Sequence, residues 1–165
     1  MDIKLMPAQT VALIDANIFI YHLGGLSAEC TSLLHCVRTG EIESFVTTIV
    51  IAEVLHRRMI GEAIAKQLVS PTQAMKRLKA NPSLVSMLTD YIDDVETLLQ
   101  LPLKIIEVQP ADVSYSNALR RTHGLCVNDS INLACALRLG ITDIATHDTD
   151  FARVPMIAVW EPTDI

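Results

Sequence analysis

The run Val11-Ala12-Leu13-Ile14-Asp15-Ala16-Asn17-Ile18-Phe19-Ile20 decides the fold. Four apolar residues lead into a lone carboxylate, and an apolar run of helical character follows at once. An unbroken apolar tetrad marks a strand buried on both faces, as strands of parallel sheets are. In open α/β sheets, ligands sit outside the carboxyl ends of the strands. Asp15 is therefore the first candidate for a functional group, and on this stretch alone it reads equally well as the cap of the helix that follows.

The same grammar repeats along the chain. Asn17 to His22 forms a short helical segment stopped by Gly24-Gly25, and Ser27 caps a helix that runs to about Arg38 before Gly40. Ser44-Phe45-Val46-Thr47 is a second strand, leading into a helix from Thr48 that puts Glu53 in its second turn among apolar neighbours. A carboxylate in such company is costly to bury unless a cation or donor meets it. Arg57, one helical turn on, is an available partner.

The middle is helical. Ser70-Pro71 reads as a helix start, and Asn81-Pro82 opens a further helix whose apolar positions, from Leu84 to Leu99, keep helical spacing. The two form a helical hairpin over about 70–100, whose acidic face (Asp90, Asp93, Asp94, Glu96) reads as solvated. Leu103–Val108 is a third strand, and Pro110 starts a helix that ends at His123-Gly124. Asn128-Asp129 opens the next helix, Asp143–Thr146 is a fourth strand discharging into His147-Asp148-Thr149-Asp150-Phe151, and Ile157–Trp160 is a fifth. His147 reads as an exposed loop histidine rather than a base. The whole chain, residues 1–165, reads as one α/β domain with a helical arm over about 48–100 inside it.

Composition narrows the class. Half of the 165 residues are hydrophobic but only 4% are aromatic, so the core is built from aliphatic side chains. Mean hydropathy is +0.35, yet charges such as Asp15 and Glu53 interrupt the long apolar stretches and no segment reads as a membrane span. The excess apolarity points to a buried sheet plus a surface that meets a partner or a second copy. The amino terminus shows no secretory pattern, which predicts a cytosolic protein. Cys30, Cys36, Cys126 and Cys135 form no C-x-x-C pair, which argues for reduced thiols rather than disulfides or zinc. The net charge of −6 argues against a nucleic-acid partner until its distribution is read. Between His56 and Ala80, Arg57, Arg58, Lys66, Lys76, Arg77 and Lys79 face only Glu62. Such an arm either grips a polyanion or is a solvated helix face.

Five carboxylates lie in apolar runs or at element edges: Asp15, Glu53, Asp129, Asp148 and Asp150. Right-handed crossovers in a parallel sheet bring the ends of successive strands to one edge, so these acids can converge. Packed like charges raise each other's pKa values, and a cation resolves the conflict. An all-oxygen set without Cys or His selects a hard ion, Mg²⁺ or Mn²⁺. Such an ion polarises a phosphate and activates water, which predicts phosphodiester hydrolysis.

Four segments carry a resemblance: I-D-A-N-I-F-I with Asp15 and Asn17, I-V-I-A-E-V-L with Glu53, N-D-S-I-N-L-A-C-A-L-R-L-G-I with Asp129, and T-H-D-T-D-F with Thr146, Asp148 and Phe151. Together, and in this order, they are similar to the signatures of PIN-domain nucleases, including VapC-type toxins. The resemblance implies a five-stranded parallel sheet between helices, dependence on Mg²⁺ or Mn²⁺, and cleavage of single-stranded RNA. It also implies a homodimer and, for a toxin, an inhibitory antitoxin. On that basis Asp15, Glu53 and Asp129 form the metal-binding core, with Asp148 as the fourth acid. Asp150 shares the metal or caps the local turn, and Asn17 and Thr146 orient ligands or water. The middle hairpin is longer than in compact toxins. Within the arm, Arg57, Arg58, Lys76, Arg77 and Lys79 become candidates for phosphate contact.

Two other classes compete. A catalytically silent PIN-like module binding RNA or protein would be expected to have lost part of the acidic set, which is complete here. A phosphatase of the haloacid-dehalogenase kind needs an aspartate where Asn17 stands. A phospho-receiver needs a late lysine, and the last lysine is Lys104.

Overall fold

A computed structural model describes residues 1–165. In chain order the main elements are β1 (Val11–Ile14), α1 (Ala16–Leu23), α2 (Ala28–Thr39), β2 (Glu43–Thr47), α3 (Thr48–Ala65), α4 (Ala74–Ala80), α5 (Pro82–Ser86) and α6 (Asp90–Leu99). They continue with β3 (Lys104–Ile106), α7 (Pro110–His123), α8 (Val127–Arg138), β4 (Asp143–Ala145) and β5 (Ala158–Trp160). The five strands form one parallel sheet in the order β3-β2-β1-β4-β5. The predicted five-stranded α/β sheet is thus present, although β3 and β5 are shorter than the sequence suggests. The order reverses on either side of β1, so the crevice outside the carboxyl ends of β1 and β4 is the switch point of the sheet.

Strand alternation divides the core. Ala12, Ile14, Val46 and Ala145 face one layer, packed against Ile18 and Phe19 of α1, Leu34 and Val37 of α2, Val50 and Val54 of α3, and Val95 and Leu98 of α6. Leu13, Ile106 and Ile144 face the other, against Leu119 of α7 and Ile131, Leu133 and Cys135 of α8. Because β1 is covered on both sides it shows no polar alternation, which is why its run is continuously apolar.

The helical arm differs from the expectation. The segment from Pro82 to Leu99 is two helices, broken at Met87-Leu88-Thr89. Glu62 of α3 accepts hydrogen bonds from the backbone N–H groups of Thr89 (3.0 Å) and Tyr91 (2.9 Å). These donors belong to the first turn of α6, which has no side-chain cap of its own, so the carboxylate fixes a new helix start there. Leu88 turns inward to a third apolar cluster with Ala63, Val69, Ala74 and Leu78. The hairpin is therefore formed by α3 and α6. Glu62 meets residues 89–91 and Arg58 meets Asp94, so the two helices run antiparallel, with α4 and α5 as the tip. Ser70 precedes only a 3-10 turn and makes no capping hydrogen bond. Of the cysteines, Cys30 and Cys135 are buried, Cys36 is half-buried, and Cys126 is exposed at the start of α8. No helix is long and apolar enough to cross a membrane.

Candidate active site

Asp15 is the first residue after β1 and the N-cap of α1. The cap reading holds, and the same carboxylate has further partners. One carboxylate oxygen accepts from the Ala16 N–H (2.7 Å) and caps the helix, while the other accepts from Asn17 Nδ2 (2.7 Å) and Thr146 Oγ1 (2.7 Å). Thr146, directly after β4, also accepts from Asn17 Nδ2 (3.0 Å) and from the Asp148 N–H (3.0 Å). Asn17 Oδ1 in turn accepts from the His147 N–H (3.1 Å). The ends of the two central strands are thereby sewn together by three polar side chains, and Thr146 is fully buried.

The chain beyond β4 folds over this seam. Asp148 accepts from the Asp150 N–H (2.8 Å) and caps the 3-10 turn Thr149–Arg153. Asp150 accepts from Arg153 Nη2 (2.5 Å), and Arg153 Nη1 donates to the Gly124 carbonyl (3.1 Å) at the turn before α8. His147 is half-buried rather than exposed, because its ring packs edge-on against Tyr21 at 5.8 Å.

Glu53 lies in the second turn of α3, with Arg57 Nη1 at 3.7 Å. Asp129 lies in the first turn of α8. A buried hydrogen bond from Thr47 Oγ1 to Asn132 Oδ1 (2.6 Å) joins the start of α3 to α8, one turn beyond Asp129. The helices carrying Glu53 and Asp129 are thus tied at a common point beside the sheet.

The electrostatics report the convergence. Burial pushes the Asp15 carboxyl up to about 6; the Thr146 and Ala16 hydrogen bonds oppose the rise and the Glu53 and Asp148 charges add to it. Asp129 is also pushed up to about 6, first by burial and then by the charges of Asp15, Asp148, Glu53 and Asp150. Asp129 therefore feels all four of the other acids, which come from three separate segments of the chain. No three of the acid, histidine or cysteine side chains close into a finished metal-binding set. The donors nevertheless suit a hard cation: they are carboxylates only, and two of them hold raised pKa values that a positive charge would relieve.

The candidate basic residues fall into three situations. Arg57 borders the acids. Arg58 is committed to Asp94, with Nε at 2.9 Å and Nη2 at 2.6 Å. Lys76, Arg77 and Lys79 are exposed on α4, which packs around Ala63, about 15 Å along α3 from Glu53 at 1.5 Å per residue.

Residues passed over in the sequence also position the site. Asn132 was visible as an amide inside an apolar helix, three residues after Asp129. Asp112 is buried, completes a capping box with Gln109 and takes Arg138 through Nε (2.8 Å) and Nη2 (3.0 Å), locking α7 to α8. An aspartate at the third helical position was the local signal for the box.

The sheet order, the switch-point crevice and the converging acids define a PIN domain. The sequence matches the profile of that family, described as "PIN domain", over residues 12–156, and the chain belongs to it. It is similar to ribonuclease VapC2 of Methanocaldococcus jannaschii, with 26% identity over 159 residues that span 96% of this chain and 98% of the relative. It is also similar to ribonuclease VapC23 of Mycobacterium tuberculosis, with 33% identity over 87 residues, 52% of this chain and 68% of the relative. Among solved structures, the VapBC2 complex of Rickettsia felis bound to a promoter DNA fragment contains a chain that superposes with a TM-score of 0.60 at 16% identity, covering 92% of this chain and 98% of that one. A toxin-antitoxin complex of Klebsiella pneumoniae contains another, with a TM-score of 0.56 at 23% identity, covering 89% and 95%.

Proposed function

We propose that this protein is a metal-dependent endoribonuclease that hydrolyses phosphodiester bonds of single-stranded RNA in the cytoplasm, as the toxin of a toxin-antitoxin pair. The observation that carries the reading is the geometry at the switch point of the sheet, where hydrogen bonds join Asp15 to the Thr146–Asp148 segment and the Thr47–Asn132 bond ties the helix of Glu53 to that of Asp129. Its relatives named as VapC ribonucleases support the substrate class, and the toxin-antitoxin complexes among its structural neighbours support an antitoxin.

Asp15, Glu53, Asp129 and Asp148 would hold Mg²⁺ or Mn²⁺. A cation held there would supply charge neutralisation for the phosphate and its leaving oxygen in an in-line hydrolysis, where water forms one P–O bond as another breaks. Within the chain, Thr146 and Asn17 hold the Asp15 carboxylate in one orientation. The Thr47–Asn132 bond holds Glu53 and Asp129 in register. Asp150 is engaged by Arg153, which favours Asp148 as the fourth ligand and gives Asp150 the work of bracing the turn. Arg57 is the arm's phosphate-contact residue nearest the acids; Lys76, Arg77 and Lys79 would meet RNA several nucleotides away, and Arg58 can do so only by leaving Asp94.

The test is cleavage of a labelled single-stranded RNA pool with Mg²⁺ or Mn²⁺. Cutting that is lost on chelation with EDTA and in Asp15→Asn supports the reading. Cutting that persists in either refutes the proposed site, and a wild type that binds RNA but cuts nothing in the pool favours a silent binding module.

A further inference from the structure

An open groove of about 550 Å³ adjoins Glu53, lined by Ile49, Ala52, Glu53, His56 and Arg57 of α3 and by Asn128 of α8. Its size is in the range of small-ligand sites. One end reaches a carboxylate of the acidic cluster, and its walls carry an imidazole, a guanidinium and a carboxamide. His56, Arg57 and Asn128 are all exposed.

We infer that this groove is the subsite that holds and selects the nucleotide next to the scissile phosphate. The inference rests on the ribonuclease reading and extends it to residues outside the acidic set. A cluster of carboxylates repels a phosphodiester backbone, so a cation beside it must steer the strand inward. Arg57 is the cation that lines the groove. Its single 3.7 Å contact to Glu53 is between side chains that are 51% and 30% exposed. Such a pair is weak, so the guanidinium is free to exchange Glu53 for a phosphate oxygen, to which its fork is matched. Asn128 offers both an amide donor and a carbonyl acceptor, the combination that reads the edge of an unstacked base, and an imidazole such as His56 supplies a stacking surface for its face. Asn128 directly precedes Asp129, and Arg57 follows Glu53 by one helical turn. Selection and cleavage are therefore mounted on the same two helices.

Two readouts test the groove. First, a random single-stranded RNA pool is cut with Mn²⁺ and the cut sites sequenced for wild type, Asn128→Ala, Arg57→Ala, Arg57→Lys and His56→Ala, each checked for folding by thermal unfolding. Asn128→Ala should flatten the base preference at one position beside the cut. Arg57→Ala should raise KM about tenfold with kcat within about threefold, and Arg57→Lys should recover part of it. Unchanged preference in Asn128→Ala together with unchanged KM in Arg57→Ala overturns the inference.

The second readout does not depend on cleavage. Asp15→Asn protein is photo-crosslinked to 4-thiouridine-substituted single-stranded RNA and the adducts are mapped by mass spectrometry. Crosslinks at residues 49–57 or 128 support the groove as a nucleotide site, and crosslinks only elsewhere overturn it. A wild type that fails to cut the pool while crosslinks map to the groove removes the nuclease reading and leaves the RNA-binding groove standing.

Discussion

Replacing Asp15 by asparagine should make the metal-free protein more stable at neutral pH while removing its activity. Moving the carboxyl from its ordinary 3.8 to about 6 corresponds to about 3 kcal/mol, at about 1.4 kcal/mol for each tenfold change in proton affinity. Because the folded-state value is the higher one, the folded protein binds the proton more tightly than the unfolded chain does. The associated stability is fully present below 3.8 and is lost as pH rises through about 6. Asparagine carries no charge and avoids this loss. It keeps an acceptor for the Ala16 N–H, but its amide faces two donors, Asn17 Nδ2 and Thr146 Oγ1, a penalty of about 2 kcal/mol at about 1 kcal/mol for each. The net expectation at pH 8 in EDTA is a gain of about 1 kcal/mol for Asp15→Asn, reversing to a loss by pH 4. Urea unfolding followed by circular dichroism at the two pH values measures it. A variant that is destabilised equally at pH 4 and pH 8 would refute the claim that Asp15 is held ionised against burial and its acidic neighbours.

Other perturbations separate folding from the site. Arg138→Ala leaves the buried Asp112 carboxylate with its Gln109 N–H and Cys135 contacts but no cation, and should lower the urea midpoint at pH 7. Arg138 holds the Asp112 carboxyl below its ordinary range. That contribution is present above about pH 3.9 and is lost as pH falls through the depressed value, so Arg138→Ala should also flatten the acid limb of the stability curve. Glu62→Ala removes the acceptor at the start of α6 and should cost about 1–3 kcal/mol, with hydrogen exchange quickened at residues 88–92 and little changed in β1 and β4. Asn132→Ala unpairs Thr47 and should weaken Mn²⁺ binding, measured by calorimetry, by about tenfold or more. Equal affinity in wild type and variant would deny the Thr47–Asn132 bond its positioning role.

What the sequence revealed followed from how local each signal is. Val11–Ile14 is apolar because both faces of β1 are covered, so the strand and its terminal Asp15 could be read from ten residues. The later acids were visible too, Glu53 because it stands in an apolar run and Asp129, Asp148 and Asp150 because they stand at the edges of elements. Their common location needed the sheet order, which sequence patterns supplied only through the family resemblance. The break at residues 87–89 was hidden for a different reason. The periodicity from Leu84 to Leu99 runs through it, and the group that ends one helix and starts the next is Glu62, more than twenty residues upstream. Asp150 also resisted reading. Its spacing from Asp148 suits a shared ligand set, whereas Arg153, three residues on, takes one of its oxygens. His147 looked exposed because its neighbours are polar, and Tyr21, far away in sequence, covers it.

The most direct test of the converging carboxylates is Mn²⁺ titration by calorimetry at pH 6 and pH 8, in buffers of different ionisation enthalpy so that proton release is counted. With Asp15 and Asp129 both titrating near 6, the account predicts that binding at pH 6 expels about one proton, that release falls towards zero at pH 8, and that Asp15→Asn loses the tight site. Mn²⁺ binding that releases no proton at pH 6, or that survives Asp15→Asn unchanged, would contradict it.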